Sequence, residues 1–375
     1  MHHTLEIVLS TFIKTKWKTS GPTDPIYKRF QACWPEIFEN LEDVTADAIE
    51  ERESIFPTEN WVKDLHGKAK ALLQTMDETQ MYRGDFKEFK NLVEVRDVCC
   101  LNCNKIGLIY NDIIILQFIL GYTTELKMAK QLSAIHHARW MSSAIYILKM
   151  FLCQNVFEHS LKEHADIQEM TKFIVFIYFF YWFKCPNLPD VPALTLNLYK
   201  DLIRWESIDK VGARAALKKV DLHLDYLTGR NVIFALTSND VEDDEKAEMA
   251  NKLMTFEKVA VALGKPHLPK VYDDSRLHDF VNEESWHFFD VFALESNFLS
   301  TPPVEWKQQE DYQKFSAMVR EISPLNDVAE RAVKLGTDYH NVITKDPVQH
   351  EAMLQSVETH RRSFPKPVKS AINII

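Results

Sequence analysis

Glycine scarcity constrains the fold of this chain more than any other feature of its sequence. Only 9 of the 375 residues are glycine. Folds with many tight turns use glycine where the backbone adopts positive φ, and nucleotide-binding folds use it where the backbone approaches phosphate. The sequence therefore predicts a mainly α fold, in which long helices are joined by short polar links.

The length of the chain and the pattern of its apolar residues predict more than one structural unit. A chain of 375 residues exceeds what one hydrophobic core usually serves, so two or three units are expected. Segments with helical periodicity follow one another from about residue 60 to residue 298, with breaks at glycine and proline. Strand candidates are few, and the best is Asn231–Leu236. A further unit is predicted to begin after Pro302 and Pro303.

A wholly apolar segment, Phe173–Phe183, raises the question of a membrane span. It covers eleven residues between Lys172 and Lys184, whereas a helix needs about 20 apolar residues to cross a bilayer. We interpret the segment as a buried core helix rich in aromatic residues. The chain is expected to be nuclear or cytoplasmic, and neither secreted nor inserted in a membrane.

The charge balance limits the ways in which this chain can bind nucleic acid. It has 44 basic and 54 acidic residues, which give a net charge of −10. This balance disfavours a whole surface that binds nucleic acid nonspecifically. Any contact with DNA must therefore come from a local patch.

The six cysteines lie at irregular spacing and are expected to be reduced thiols. One C-x-x-C pair, Cys100 and Cys103, has the spacing of half a zinc site. No second pair is present to complete such a site, so no metal is expected there.

Two imidazoles, a guanidinium and an indole fall together at His136, His137, Arg139 and Trp140. This group could clamp nucleic acid, with Trp140 stacked on a base and Arg139 on a phosphate. It could instead begin an amphipathic helix whose tryptophan packs in the core. The residues alone favour packing, since a single tryptophan in a helix is mostly a packing residue.

The segment Ser323–Arg331 has the pattern of a helix start, with Asn326 as the N-cap and acidic residues in the first turn. Asp327 and Glu330 share one helix face. Acidic residues at this position commonly complement the helix dipole, and the residues alone favour that reading. The alternative is a metal-binding carboxylate that the helix presents.

Several segments, taken in order, resemble hAT-type DDE transposases. The most specific are HHARWM at 136–141 and NDVAER at 326–331, and HHTLEIVLSTF and FYWFKCPNLPDVPALTL support them. The resemblance runs through most of the chain and implies a ribonuclease-H-like domain interrupted by a large all-helical insertion. It implies a remnant helix of that domain at 1–40, the insertion at 41–303, and C-terminal helices that carry the last acidic residue at 304–375.

The resemblance also implies which catalytic residues the chain carries. His3 matches the histidine of a Cys-x-x-His signature, and Glu330 matches the final acidic residue, so both are vestigial catalytic residues. The two catalytic aspartates would lie upstream of Met1. Two-metal phosphoryl transfer needs convergent carboxylates that hold two divalent ions about 3.5–4 Å apart. The expectation is a catalytically incomplete protein without a resident cofactor, whereas a complete homologue would use Mg²⁺.

The expected function is that of a transposase-derived protein with residual DNA binding or an assembly role. The resemblance strengthens DNA contact at the His136–Trp140 cluster. The alternative is a helical scaffold for protein–protein interaction with no nucleic-acid role, which the acidic charge favours. Residues 4–38 and 305–375 would lack the sheet that they normally cover. They are expected to pack on each other or on the insertion, or to mediate self-association.

Overall fold

The computed structural model describes residues 1–17, 25–39, 59–75, 140–258 and 267–322, together with the single positions 346 and 349. Within those residues the regular secondary structure is helical and no strand occurs, which confirms the predicted mainly α fold. The chain divides into two compact units, Met1–Ser323 and Pro324–Ile375, and the helices below belong to the first.

The α-helices, in chain order, are α1 His2–Lys16, α2 Pro25–Glu39, α3 Asn60–Thr75, α4 Trp140–Leu152, α5 Leu161–Phe173, α6 Phe179–Lys184, α7 Val191–Trp205, α8 Lys210–Val220, α9 Gly229–Val232, α10 Asp243–Met254, α11 His287–Val291, α12 Pro303–Trp306 and α13 Glu310–Glu321. Short 3₁₀ helices lie at Leu188–Asp190, Asp225–Leu227, Ile233–Thr237, Leu277–Phe280, Glu283–Trp286 and Asn297–Ser300.

The apolar segment predicted to be a core helix lies in the interior. Helix α5 begins at a capping box, in which the Ser160 hydroxyl accepts from the Glu163 amide and the Glu163 carboxylate accepts from the Ser160 amide. A π-helical turn, Ile174–Tyr178, joins α5 to α6, and all five of its residues are buried. The interpretation as a core helix is confirmed. In the part of the chain that the structure describes, no helix has the length and apolar composition needed to cross a bilayer.

Helices α1 and α8 pack against each other along small residues. The buried face of α8 consists of Gly212, Ala213, Ala216 and Val220. A Cβ atom at Gly212 would overlap the Phe12 ring and the Asp209 carboxylate, so the close approach of the two helices requires glycine there.

The contacts at the two ends of α1 and α8 show how these helices are oriented relative to each other. At one end Lys16 Nζ lies 2.7 Å from Asp209 Oδ2, and at the other the His3 and His223 ring centroids are 5.8 Å apart. The two helices are therefore antiparallel.

Helix α2 also packs on the helical body. Tyr27 meets Tyr146 edge to face at a centroid distance of 5.8 Å, and Phe30 meets Phe157 at 5.3 Å. Of the alternatives expected for residues 4–38, the structure shows α1 and α2 in contact with helices between residues 140 and 223. Self-association through residues 4–38 and 305–375 stays a prediction, as do the domain boundaries near residues 40 and 303.

The last described helix, α13, is covered by the same core. The Phe315 ring stacks on Phe289 at a centroid distance of 4.9 Å, and the Tyr312 hydroxyl donates to the Leu236 carbonyl at 3.3 Å. Its apolar face is thus covered by residues of the first compact unit.

The strand candidate Asn231–Leu236 is wrong. Its residues form the end of α9 and the 3₁₀ helix Ile233–Thr237, and Val232–Leu236 are buried. A short apolar run bounded by turn residues has no periodicity that separates a strand from a buried helical turn. In the described residues the run finds no partner strand, and its backbone bonds are made within the helical turns.

Within the described residues, Cys33, Cys153 and Cys185 are not joined by disulfide bonds. Burial raises the pKa of the Cys153 thiol to about 12, so this thiol stays protonated at neutral pH. The pair Cys100 and Cys103 lies outside the described residues.

Candidate nucleic-acid interface

The structure describes only some of the predicted site residues. Those that lie outside the described residues are His136, His137, Arg139 and Glu330. Trp140 begins helix α4, but its side chain is not among those described. The DNA-contact cluster and the final acidic residue therefore stay predictions.

His3 lies in the first turn of α1, and its side chain is exposed. Its ring meets the edge of His223, whose Nδ1 lies 2.7 Å from the Lys219 carbonyl oxygen. No group of three or more His, Cys, Asp or Glu side chains in the described part of the chain is arranged to hold a metal ion. These residues do not supply the carboxylate set that the Mg²⁺ of a complete homologue would need.

The structure does present a basic surface, which lies on helix α8. Four of its eleven residues are basic and none is acidic, in a chain whose net charge is −10. Lys210, Arg214 and Lys218 are exposed and follow one another at intervals of four, so they share one helix face. At a rise of about 1.5 Å per residue, they cover roughly 12 Å along the helix axis. We call Lys210, Arg214 and Lys218 the basic face of α8.

The local sequence explains where α8 begins and how it is held. Asp209 is the N-cap residue, and its Oδ1 accepts from the Gly212 amide at 3.0 Å. Its other oxygen forms the ion pair with Lys16, which also pairs with Glu169. Burial opposes the charged form of Lys16, but the carboxylates of Asp209 and Glu169 outweigh it and raise the pKa of this lysine. The acidic residue closest in sequence to the basic face is thus already paired with a lysine of α1.

Helix stability accounts for some of the basic residues on α8 but not for all of them. Lys218 and Lys219 lie in the last turn, where a positive charge complements the helix dipole. Lys210 lies in the first turn, where a cation opposes the dipole. A lysine at this position destabilises the helix. A role in binding therefore explains Lys210 better than a role in helix stability.

The basic face is largely free of internal ion pairs. Arg214 Nε donates to Glu206 Oε2 at 3.0 Å, and both side chains are accessible to solvent. Lys210, Lys218 and Lys219 make no ion pair within the residues that the structure describes. Asp221, the residue that follows α8, interacts with Tyr199 of α7. Burial and this carboxylate raise the pKa of the Tyr199 hydroxyl to about 12. The two exposed lysines of the face are available to an external anion.

A cleft of about 470 Å³ beside Gly229 is less suited to a polyanion. Its lining includes Lys270 but also Asp274 and Asp279. Carboxylates in the lining repel phosphate, so the basic face of α8 is the better candidate for contact with nucleic acid.

Sequence reasoning missed the basic face, although the spacing of its residues is visible in the segment KVGARAALKKV. The net charge of −10 for the whole chain hides a basic row on a single helix. The other half of the signal, the pairing of Asp209 with Lys16, depends on the contact between α1 and α8 and cannot be seen in the sequence.

Comparison of the chain with protein-family models, with curated proteins and with solved structures found no match. The resemblance to hAT-type transposases stays a prediction from the sequence.

Proposed function

We propose that this chain is a transposase-derived protein that contacts the phosphate backbone of nucleic acid through the basic face of α8 and has no strand-transfer activity of its own. The observation that carries the proposal is a row of exposed basic side chains, of which the two lysines have no ion-pair partner in the described residues. The resemblance to hAT-type transposases supplies the class of partner.

The chemistry of the face suits contact with a backbone. Each lysine or arginine that neutralises a phosphate releases condensed counterions, which favours binding most at low salt. Contacts with phosphate position a protein without reading sequence, so the face alone is expected to bind nucleic acid with little sequence preference. In a chain with a net charge of −10, contact is expected from a local basic patch rather than from the whole surface.

The lack of strand transfer rests on the resemblance. It aligns Glu330 with the last of three catalytic carboxylates and matches no residue of this sequence with the other two. A strand-cleavage assay with Mg²⁺ or Mn²⁺ tests this part of the proposal, and no cleavage is expected. Cleavage that disappears in Glu330→Gln would overturn it.

A scaffold for protein partners is the second candidate, and one observation near the same helix favours it. Val211 in α8 and Leu222, two residues after its end, are 67% and 62% exposed. A surface that mixes basic and apolar side chains also fits an acidic protein partner.

Fluorescence anisotropy with a labelled hairpin-ended DNA duplex at low salt separates the two candidates. The double variant Lys210→Gln/Lys218→Gln is expected to bind roughly tenfold more weakly than the parent, because two phosphate contacts are lost. The matched control is Lys270→Gln/Lys307→Gln, which lowers the net charge equally at exposed lysines outside α8. It is expected to bind like the parent.

The other outcomes of this experiment are equally informative. Equal weakening by both double variants would show that total charge matters rather than this face. No binding by the parent at low salt would refute the nucleic-acid role and favour the scaffold.

A further inference from the structure

The cleft beside Gly229 carries two opposite charges that do not pair with each other. Lys270 and Asp274 both line it and both are exposed, and neither forms an ion pair in the part of the chain that the structure describes. We propose that this cleft binds a free α-amino acid in its zwitterionic form, with an apolar or aromatic side chain. The site is independent of the proposed contact with nucleic acid.

The two unpaired charges select the class of ligand. A small anion in the cleft would meet Lys270 but also the Asp274 carboxylate, and a small cation would meet the Lys270 ammonium as well as the carboxylate. A ligand that carries both signs leaves neither side chain without a partner. An α-amino acid holds its carboxylate and its ammonium group on one carbon atom, so both groups can bind within one cleft.

A buried serine supplies a hydrogen-bond donor for the carboxylate of such a ligand. Ser275 lines the cleft, and its hydroxyl oxygen accepts from the Tyr272 amide at 3.0 Å. Its hydroxyl proton has no acceptor among the residues that the structure describes. Since a hydroxyl can donate and accept at the same time, this proton is available to a ligand oxygen.

Asn282 supplies a second donor. Its Oδ1 accepts from the Glu284 amide at 2.9 Å. A backbone N–H can only donate, so the atom that faces it is the side-chain oxygen, and the amide nitrogen has no acceptor within the described ranges. The Lys270 ammonium, the Ser275 hydroxyl and the Asn282 amide together offer three donors to the two oxygens of a carboxylate.

The two carboxylates of the cleft suit an ammonium group. Asp279 Oδ2 already accepts from the Arg276 amide at 2.7 Å, and Asp279 Oδ1 lies 3.5 Å from His278 Nε2. Asp274 makes neither kind of contact in the described residues. Its carboxylate is therefore the direct partner for the ligand ammonium, while Asp279 adds to the negative potential of the cleft.

The apolar lining favours an apolar side chain on the ligand. Leu227 and Phe280 are buried, the Tyr272 ring is exposed, and all three line the cleft. An aromatic side chain can pack on such rings in an offset or edge-to-face arrangement. The volume of about 470 Å³ lies within the range of small-molecule sites, and an amino acid would occupy part of it.

Contacts within the protein hold the walls of the cleft in place. The Ser285 hydroxyl donates to the Gly229 carbonyl at 2.7 Å, which ties the start of α9 to the 3₁₀ helix Glu283–Trp286. A Cβ atom at Gly229 would overlap the Asn282 side chain, so glycine leaves room for this amide. The donors are thus positioned before a ligand arrives, which reduces the entropy lost on binding.

Isothermal titration calorimetry of the full chain with L-phenylalanine at neutral pH tests the proposal. Saturable binding is expected. Lys270→Met and Asp274→Asn are each expected to weaken it about tenfold, because each removes one charge-assisted contact. The matched controls are Lys307→Met and Asp273→Asn, which make the same changes at exposed residues that do not line the cleft. Both controls are expected to bind as the parent does.

Two analogues of the probe test the role of each charge without any substitution in the protein. Phenethylamine lacks the carboxylate, and 3-phenylpropanoate lacks the ammonium group. The parent is expected to bind each of them about tenfold more weakly than L-phenylalanine. The loss with phenethylamine is expected to be smaller in Lys270→Met than in the parent, and the loss with 3-phenylpropanoate smaller in Asp274→Asn.

Three results would overturn the proposal. They are the absence of saturable L-phenylalanine binding by the parent, equal affinity of the parent for all three compounds, and a weakening by Asp273→Asn as large as that by Asp274→Asn. None of them bears on the basic face of α8. The DNA-binding assay contains no free amino acid, so this site does not affect the control Lys270→Gln/Lys307→Gln.

Discussion

The two faces of helix α8 differ in how completely the fold accounts for them. The buried face, Gly212 to Val220, matches α1 closely, and each of its side chains is small where the helices approach. The basic face has exposed residues at the same regular spacing, yet Lys210 opposes the helix dipole and makes no ion pair in the described residues. One face is thus explained by packing, whereas the other is better explained by a partner.

This contrast teaches where to look for function in an otherwise ordinary helical body. A residue type that stabilises the fold needs no further reason. A residue that is unfavourable for its own helix and has no partner within the chain is a better guide to a binding surface than a cluster chosen by residue type alone.

The largest expected effect tests the buried face. Gly212→Ala is expected to lower the free energy of unfolding by about 2 kcal/mol, because the new methyl group would overlap Phe12 and Asp209. The control is Gly67→Ala in α3, where a Cβ would meet nothing within 4 Å. This change is expected to stabilise by roughly 0.5–1 kcal/mol through helix propensity. Chemical denaturation measures both, and the same sign for the two variants would contradict the packing argument.

The second largest expected loss of stability concerns Asp209, which is the N-cap of α8 and an ion-pair partner of Lys16. Asp209→Ala is expected to cost about 1.5 kcal/mol, because α8 loses its N-cap and Lys16 loses a carboxylate partner. Asp209→Asn keeps an acceptor for the cap and is expected to cost less. Urea denaturation at neutral pH ranks the two, and equal losses would mean that the cap contributes nothing.

Lys16 provides a prediction that depends on pH. Its pKa in the folded protein is raised, since the carboxylates of Asp209 and Glu169 outweigh burial. Its contribution is therefore fully present below the unfolded value of 10.5 and is lost as the pH rises through the folded value. The stability difference between the parent and Lys16→Met is expected to be constant near neutral pH and to narrow above pH 10.5. A difference that stays constant throughout the alkaline range would contradict the ion-pair account.

The smallest stability effect is the sharpest test of the contrast between the faces. Lys210→Glu is expected to stabilise the fold by about 0.5 kcal/mol, because an acidic residue in the first turn complements the dipole. The same change is expected to weaken DNA binding. Thermal denaturation and anisotropy measure the two effects, and a variant that binds DNA as the parent does would remove Lys210 from the proposed surface.

The sequence predicts much of the fold because the relevant signals are local. The helical class follows from glycine scarcity and apolar periodicity, and the burial of Phe173–Phe183 follows from its length. The error at Asn231–Leu236 arises where a short apolar run has no distinguishing period. Gly212 could not be interpreted in advance, since its partner Phe12 lies 200 residues earlier in the chain.

The candidate sites were harder to predict for a related reason. The basic face is regular in sequence, but the pairing of Asp209 with Lys16 arises from a tertiary contact. The predicted cluster at His136–Trp140 and the predicted role of Glu330 concern residues outside the described part of the chain and stay predictions.

The salt dependence of DNA binding tests the central claim most directly. Each phosphate contact contributes about −0.9 to the slope of log K against log salt, so three contacts predict a slope of roughly −2.7 for the parent. In Lys210→Gln/Lys218→Gln the slope is expected to fall in magnitude by about 1.8, and in Lys270→Gln/Lys307→Gln it is expected to stay unchanged. Identical slopes for the parent and the α8 double variant would contradict the assignment of the basic face as the nucleic-acid contact.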